Sequence, residues 1–462
     1  MNINPHIFRA YDIRGVYGED FTVEAAELIG KGVGSYLKLQ KAKGKMQNEN
    51  LKLVVGRDNR VHGEELQKAF IRGILSTGCD VVDIGLAISP MLYFAVCEGN
   101  FDGGVSITAS HNPAEYNGFK LVGEGAHSIC GEEIQKIQKI IEKMEFKEGE
   151  GNLEEGNFTD QYYEKIKGII RLERPLKVVV DTANGVAGLF YPELFRQLGC
   201  EVVELFSEQD GTFPSHEPDP IVEENLGALK KKITEEKADL GIAFDGDGDR
   251  VGIVDEKGVY HDANKILILL AKDLLSRNSG AKVVYTVSNS SIIASEVEKA
   301  GGRALMTPVG HSFVEIVMKK EGALLGGEQS GHFFVEENYF SFDDASYAAA
   351  KVLEILAKSG KSFSELMAEI PEVYSEPEKR PFCSDETKFD VVEKISEEFS
   401  KKYPCNTIDG VRVDFGDDAW AGIRASNTSP CLSVITEAKS SEKLAEVNKI
   451  TWEVLQKYGI KA

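Results

Sequence analysis

The sequence predicts an α/β protein: three similar α/β domains with mixed, largely parallel sheets, followed by a smaller α+β C-terminal domain. The first observation behind this is a pattern that occurs three times, a β-branched run, a polar loop, an amphipathic helix and a second strand led in by glycine. It starts at Leu51 (LKLVVGRDNR…GILSTGCDVVDIG), at Leu176 (LKVVVDTANGVAG…FRQLGCEVVELF) and at Ala281 (AKVVYTVSNSS…VEKAGGRALMTPVG). Short apolar strands alternating with helices make βαβ units, and three copies at intervals of about 100 residues imply three similar domains. The second observation is length: 462 residues exceed what one hydrophobic core organises and suit three or four domains of about 100 to 150 residues. The third is that the chain from residue 371 onward lacks the pattern and mixes one helix, FDVVEKISEEFSKKY, with short strands.

Boundaries follow from composition. The run Glu145 to Asn157 (EFKEGEGNLEEGN) is polar, acidic and glycine-containing, a link after the first unit. A second boundary falls near Glu256 in DEKGVY, and a third in EVYSEPEKRPF, where Pro377 and Pro381 bracket charges. The expected domains are therefore 1–152, 153–255, 256–370 and 371–462.

A hydrophobic content of 42% with 28% charged residues belongs to an ordinary globular protein. The formal charge of -22 argues against nucleic acid and anionic membranes as partners, because both reward a basic face. An anionic ligand would need a local cluster of Arg and Lys to overcome that field. Seven cysteines are scattered without a C-x-x-C pair, which indicates neither a disulfide framework nor a zinc site and suits a reducing cytoplasm. The N-terminus lacks the basic-then-apolar plan of a signal peptide. The longest apolar run, Ile266 to Ala271, is far short of the roughly 20 residues that span a bilayer. Monomer and dimer are both compatible with the sequence.

Four loops carry chemistry. In ADLGIAFDGDGDRVGIVDE, Asp245, Asp247 and Asp249 alternate with glycines between two apolar strands. Three carboxylates placed this way can converge on one hard divalent cation, and Mg²⁺ fits because three protein oxygens leave room for phosphate oxygens. An EF-hand is excluded: Arg250 stands at the sixth position, where that loop needs glycine, and the flanks read as strands. In VSITASHNPAEYNGFK, Ser110 follows an apolar strand and precedes His111. A plain turn is one reading. An acyl-hydrolase is disfavoured, since no G-x-S-x-G elbow surrounds the serine and sequence neighbours on a turn seldom face each other. A serine can also carry a phosphoryl group, whose oxygen would complete a three-aspartate Mg²⁺ site. GGEQSGHFF, Gly326 to Phe334, gathers Glu328, Ser330 and His332 on a glycine-rich loop, a set suited to vicinal sugar hydroxyls. GIRASNTSP, Gly422 to Pro430, places Arg424 before Ser426, Asn427, Thr428 and Ser429, the makings of a phosphate cradle. Arg9, Arg14, Arg57, Arg60, Lys120 and Arg250 recur at loops and together form the expected positive pocket.

These four loops, in this order, resemble the α-D-phosphohexomutase family, in its phosphomannomutase/phosphoglucomutase branch, over nearly the whole chain. TASHNP is similar to the family's phosphoserine loop, DGDGDR to its Mg²⁺ loop, GEQSGH to its sugar loop and RASNTSP to its phosphate loop; FRAYDIRGVYG and YNGFK are also typical. The resemblance implies that phosphorylated Ser110 gives its phosphoryl group to a hexose monophosphate, forming a hexose 1,6-bisphosphate that turns around and returns its other phosphoryl group. It further implies that Ser110, Asp245, Asp247 and Asp249 hold Mg²⁺. Arg424, Ser426, Asn427 and Thr428 would then hold the phosphate that is not reacting, with Arg9, Tyr11, Arg250, His311, Glu328 and Ser330 on the rest of the substrate. Lys120, His111, Arg14, His311 and His332 are the candidates for acid–base work and transition-state charge. One loop from each domain would line a cleft, and the fourth domain is expected to be the mobile one.

The sequence departs from the family's pattern at FDDAS after the sugar loop, where many members have Asp-Gly, at Ser433, near where relatives often carry Arg, and at Ser288, where some carry Lys. YNGFK and RASNTSP favour mannose and glucose phosphates, with dual specificity as the expectation. Phosphoglucosamine mutase is the alternative, followed by a non-catalytic sugar-phosphate-binding protein and a metal-dependent phosphatase.

Overall fold

The computed structural model describes residues 3–44, 51–426 and 429–461. The chain folds into two compact units, Met1–Ala263 with Ser330–Leu366 and Asn264–Gln329 with Met367–Ala462.

The first unit contains two sheets. One has the strand order Ile13–Val16, Tyr116–Gly123, Gly103–Ile107, Lys52–Arg57, Asp80–Leu86, Leu153–Glu155. Its last four strands run parallel, and Tyr116–Gly123 joins antiparallel on both sides. Alternation decides the faces: Leu53, Val55, Val105, Ile107, Phe119 and Leu121 share one core with the helices Val23–Ala42, Gly63–Leu75 and Glu132–Glu142. The other sheet has the order Tyr260–His261, Val251–Asp255, Leu240–Phe244, Lys177–Asp181, Glu201–Leu205, with the last three strands parallel. Every residue of Leu240–Phe244 and Val251–Asp255 is buried, as expected of strands covered on both faces. Helix Ala345–Ser359 is started by Asp344, whose carboxylate accepts from the Tyr347 amide at 2.9 Å.

In the second unit, Lys282–Thr286 lies between Arg303–Thr307 and Leu325–Gly327, all parallel. All three repeated patterns are thus strand, helix, parallel strand. The C-terminal part is a five-stranded sheet in which Leu432–Ala438, Trp420–Ala425, Val411–Asp414 and Cys405–Asn406 follow Tyr374–Ser375, antiparallel throughout. Here the expectation of one helix needs correction. Besides Lys388–Ser400 there is Ser441–Lys457, capped by Ser440 on the Lys443 amide at 3.2 Å and buried through Leu444, Val447, Thr451, Val454 and Leu455. Within this unit, Arg412 donates to the carbonyls of Val287 at 2.6 Å and Asn289 at 2.7 Å. No helix among the described residues is long and apolar enough to cross a membrane.

Candidate active site

Strand Gly103–Ile107 is wholly buried and stands where the first sheet changes from parallel to antiparallel pairing. Ser110, three residues beyond it, is 2% exposed and has φ +52°. A non-glycine residue in that region costs of order 1–3 kcal/mol and persists only where its surroundings hold it. The serine is therefore both a turn residue and a presented hydroxyl. Its Oγ donates to Asp245 Oδ2 at 2.7 Å, and His111 Nδ1 lies 3.3 Å away. The expectation that Ser110 and His111 would not face each other is thus incorrect: the left-handed backbone turns the hydroxyl toward its neighbour. His111 is half-buried, and that burial, followed by Arg250, Arg14 and Lys120, pushes its imidazole well below the usual range.

The hairpin between Leu240–Phe244 and Val251–Asp255 carries Asp245, Asp247 and Asp249, all fully buried, with ligand oxygens within 4.8 Å of one another. Gly246 is required by proximity, because a Cβ there would stand 2.5 Å from the Ser110 carbonyl oxygen. Asp245 Oδ1 accepts from the amides of Gly248, Asp249 and Arg250 at 3.0 to 3.1 Å. Lys120 Nζ donates to Asp247 Oδ2 at 2.7 Å and to Asp249 Oδ2. Burial, then repulsion from Asp247 and Asp249, pushes the Asp245 carboxyl well above its ordinary value. Burial would also raise Asp249, but Lys120, His332 and Arg250 hold it below the carboxylate range. For Lys120 burial opposes charge, and the two carboxylates outweigh it and raise its affinity for the proton.

The donor set suits a hard divalent cation. Asp247 Oδ1 and Asp249 Oδ1 are buried oxygens with no hydrogen-bond partner among the described residues, and such oxygens are costly unless a proton, donor or cation meets them. Asp249, His332 and Asp343 form a second buried cluster, but its imidazole is engaged on both edges. Arg250 Nε donates to His332 Nε2 at 3.0 Å, and Nδ1 lies 2.7 Å from Asp343 Oδ2. His332 Nε2 thus accepts from Arg250.

Arg14 donates to Asn112 Oδ1 at 2.8 Å and pairs with Asp12, which places it beside the Ser110 loop. Arg9, Tyr11 and Ser330 are half-buried in the same unit. Two expected members of the positive pocket are elsewhere: Arg57 is taken up by Gln67 and the Asp58 carbonyl, and Arg60, 1% exposed, lies under the loop rather than facing ligand. Glu328, His311, Arg424 and Ser426 belong to the second unit. There Glu328 accepts from the Gly310 amide at 2.8 Å, beside His311 at the start of helix His311–Glu321. Arg424 lies opposite Ser433 in the strand register, and Ser426 Oγ accepts from the Ser429 amide at 3.1 Å. Asn427 and Thr428 lie outside the described residues.

Two contacts were not foreseen from sequence. Ser89 donates to Asp247 Oδ2 at 2.6 Å, and its amide reaches the Asp247 carbonyl at 2.9 Å. Lys388, 4% exposed, donates to the carbonyls of Ser426 and Ser429. Neither carries a local signal, since each partner is distant in the chain. Taken together, a buried hydroxyl, three aspartates and a lysine make a place where a phosphoryl group can be bound and passed on.

Comparison with known proteins covers nearly the whole chain. The family described as phosphoglucomutase/phosphomannomutase matches in four parts: alpha/beta/alpha domain I over 5–148, domain II over 159–258, domain III over 262–374 and the C-terminal domain over 364–451. A phosphomannomutase/phosphoglucomutase of Pseudomonas aeruginosa is 42% identical over 447 residues, covering 96% of this chain and 94% of the relative. A phosphoglucomutase of Neisseria meningitidis is 40% identical over 451 residues, covering 96% of each. The crystal structure of a phosphoglucomutase/phosphomannomutase family protein from Burkholderia thailandensis superimposes with a TM-score of 0.92 at 39% identity, covering 99% of this chain and 98% of that one.

Proposed function

Because this chain belongs to the phosphoglucomutase/phosphomannomutase family, and so interconverts hexose 1-phosphate and hexose 6-phosphate, we propose that Ser110 is its phosphoryl carrier. The observation that carries this is the 2.7 Å hydrogen bond from the Ser110 hydroxyl to Asp245 inside the buried three-aspartate cluster. Phosphorylated Ser110 passes its phosphoryl group to the free hydroxyl of a bound hexose monophosphate, the P–O bond to serine breaking as the bond to the sugar oxygen forms. The resulting hexose 1,6-bisphosphate reverses its orientation and gives its other phosphoryl group back to Ser110, releasing the isomer.

Asp245, Asp247, Asp249 and the phosphoserine are assigned to Mg²⁺, which when bound supplies charge neutralisation on the transferring group. Lys120, fixed between Asp247 and Asp249, adds a positive charge on the same side. Arg14, His111 and His332 are assigned to proton handling and transition-state charge, and the contact between Arg250 and His332 supports His332 also orienting that guanidinium. Arg424, Ser426, Asn427 and Thr428 would hold the distant phosphate. Glu328, Ser330, Arg9, Tyr11, Arg250 and His311 would hold the sugar and its near phosphate. Mannose and glucose phosphates are the proposed substrates, hexose 1,6-bisphosphate the activator, and the cytoplasm the setting, which seven free thiols support. The four-domain division at 152, 255 and 370 belongs to the same proposal.

Peptide mapping by mass spectrometry after incubation with Mg²⁺ and glucose 1,6-bisphosphate tests the carrier. One phosphate on Ser110, absent in Ser110→Ala, is the expected result. Turnover by a protein phosphorylated elsewhere, or by Ser110→Ala, would overturn it.

A further inference from the structure

Arg60 is a buried cation that the reaction as described does not use. Resting on the reading of Ser110 as phosphoryl carrier, we infer that Arg60, together with Asp58 and Thr108, is the positioning group that fixes the Ser110 loop for phosphoryl transfer. A guanidinium has five N–H donors in one plane, and here each has a partner. Nε donates to Asp58 Oδ2 at 3.1 Å, Nη1 to the carbonyls of Pro113 at 2.6 Å and Tyr116 at 3.0 Å, and Nη2 to those of Ser110 at 2.9 Å and Asn112 at 2.6 Å. Both Arg60 and Asp58 have side chains with 0% exposure. The ring of Phe213, from the neighbouring sheet's part of the same unit, closes the far side with its centroid 5.0 Å from the guanidinium carbon.

A second arm reaches the serine from its other end. Asp58 Oδ2 also accepts from Thr108 Oγ1 at 2.7 Å, and that oxygen accepts from the Ser110 amide at 2.8 Å. Ser110 is therefore held by its N–H through Thr108 and by its C=O through Arg60, across a backbone angle its own chemistry disfavours. The same clamp leaves its hydroxyl on Asp245. Turn residues alone do not need a buried ion pair; four carbonyls captured by one rigid fork give a loop a single geometry. Lysine cannot substitute, since an ammonium is a point donor on a flexible stem and does not span four carbonyls in a plane. The charge of Arg60 also lies directly under the residue that would carry the phosphoryl dianion.

The test compares Arg60→Lys, Arg60→Met, Thr108→Val and Thr108→Ser with the full-length protein and Ser110→Ala, reading kcat, KM for glucose 1-phosphate, Ser110 phosphorylation and the melting curve. Folded Arg60→Lys is expected to lose about 100-fold in kcat with KM changed less than about threefold, because a misplaced carrier loses rate and not ground-state binding. Thr108→Val is expected to lose about tenfold in kcat, and Thr108→Ser to restore it, since only the hydroxyl matters. Folded Arg60→Lys with kcat within about threefold of the parent, or a loss confined to KM, would overturn the inference. If neither Arg60 variant folds, the Thr108 pair decides: a loss in the valine variant rescued by serine supports it, and a valine variant that turns over normally overturns it. Phosphorylation of the parent protein elsewhere than Ser110 would sink the carrier reading and this inference together, whereas normal turnover by the variants of a parent phosphorylated on Ser110 sinks only this one.

Discussion

At His216 two influences pull in opposite directions. Burial disfavours the imidazolium, but the hydrogen bond to Asp181, with Nε2 3.2 Å from Oδ1, outweighs it and raises the folded-state pKa. A raised histidine stabilises the fold fully below its unfolded value and loses that contribution as pH rises through the folded one. The melting-temperature gap between the parent and His216→Gln should therefore be largest near about pH 5.5 and narrow steadily toward about pH 8.5. A gap that stays constant or widens over that window would show that Asp181 does not favour the protonated form of His216. Residue roles divide sharply in how far sequence discloses them. The convergence of the three aspartates was legible because their spacing is local: like residues within a few positions bring their oxygens together. Arg60 was not, because its meaning lies in carbonyls 50 or more positions away, and an arginine at a loop reads equally well as a ligand for substrate. The Ser110–His111 contact was misjudged for a related reason, since the φ of +52° that permits it is imposed by tertiary clamps.

Elements follow the same logic one level up. The hairpin that presents the aspartates works only because Gly246 lets its backbone reach Ser110, a Cβ there standing 2.5 Å from the serine carbonyl oxygen. Gly246→Ala should fold with reduced stability and lose about tenfold or more in kcat, since the carrier and the carboxylates are pushed apart. Steady-state kinetics alongside a melting curve checks this, and a variant with unchanged kcat would show that the close approach is incidental. The three strand–helix–strand repeats were readable from periodicity and glycine placement, because a parallel strand covered on both faces must be apolar. Ser441–Lys457 went unread although Ser440 and the spacing of Leu444, Val447, Thr451 and Val454 were available signals. Its buried face includes Thr451 and its exposed face is densely charged, which weakens the apolar stripe that periodicity looks for.

On the scale of the whole molecule, the charge of -22 demands local cations wherever a sugar phosphate binds. In the first unit, Lys120, Arg250 and Arg14 stand close to the Ser110 loop. In the second unit, the C-terminal sheet is tied to the turn after Lys282–Thr286 by Arg412 and by Glu437, which accepts from the Ser291 amide at 3.0 Å and from Trp420 Nε1 at 2.8 Å. Burial pushes the Arg412 guanidinium down to about 10, and its stacking 3.4 Å from the Trp420 ring centroid offsets part of that cost. The sequence leads one to expect a mobile fourth domain; motion of it away from that turn must first break these bonds. The central claim is that the chain moves a phosphoryl group between the two ends of a hexose through Ser110. Phosphorus NMR tests it most directly, with Mg²⁺, a trace of glucose 1,6-bisphosphate, and mannose 1-phosphate, glucose 1-phosphate or glucosamine 6-phosphate supplied in parallel. Conversion of the first two to their 6-phosphates, lost in Ser110→Ala and without release of inorganic phosphate, is the expected result. Isomerisation of glucosamine phosphate alone would contradict the substrate assignment, and inorganic phosphate appearing in place of the isomer would contradict the mutase account itself.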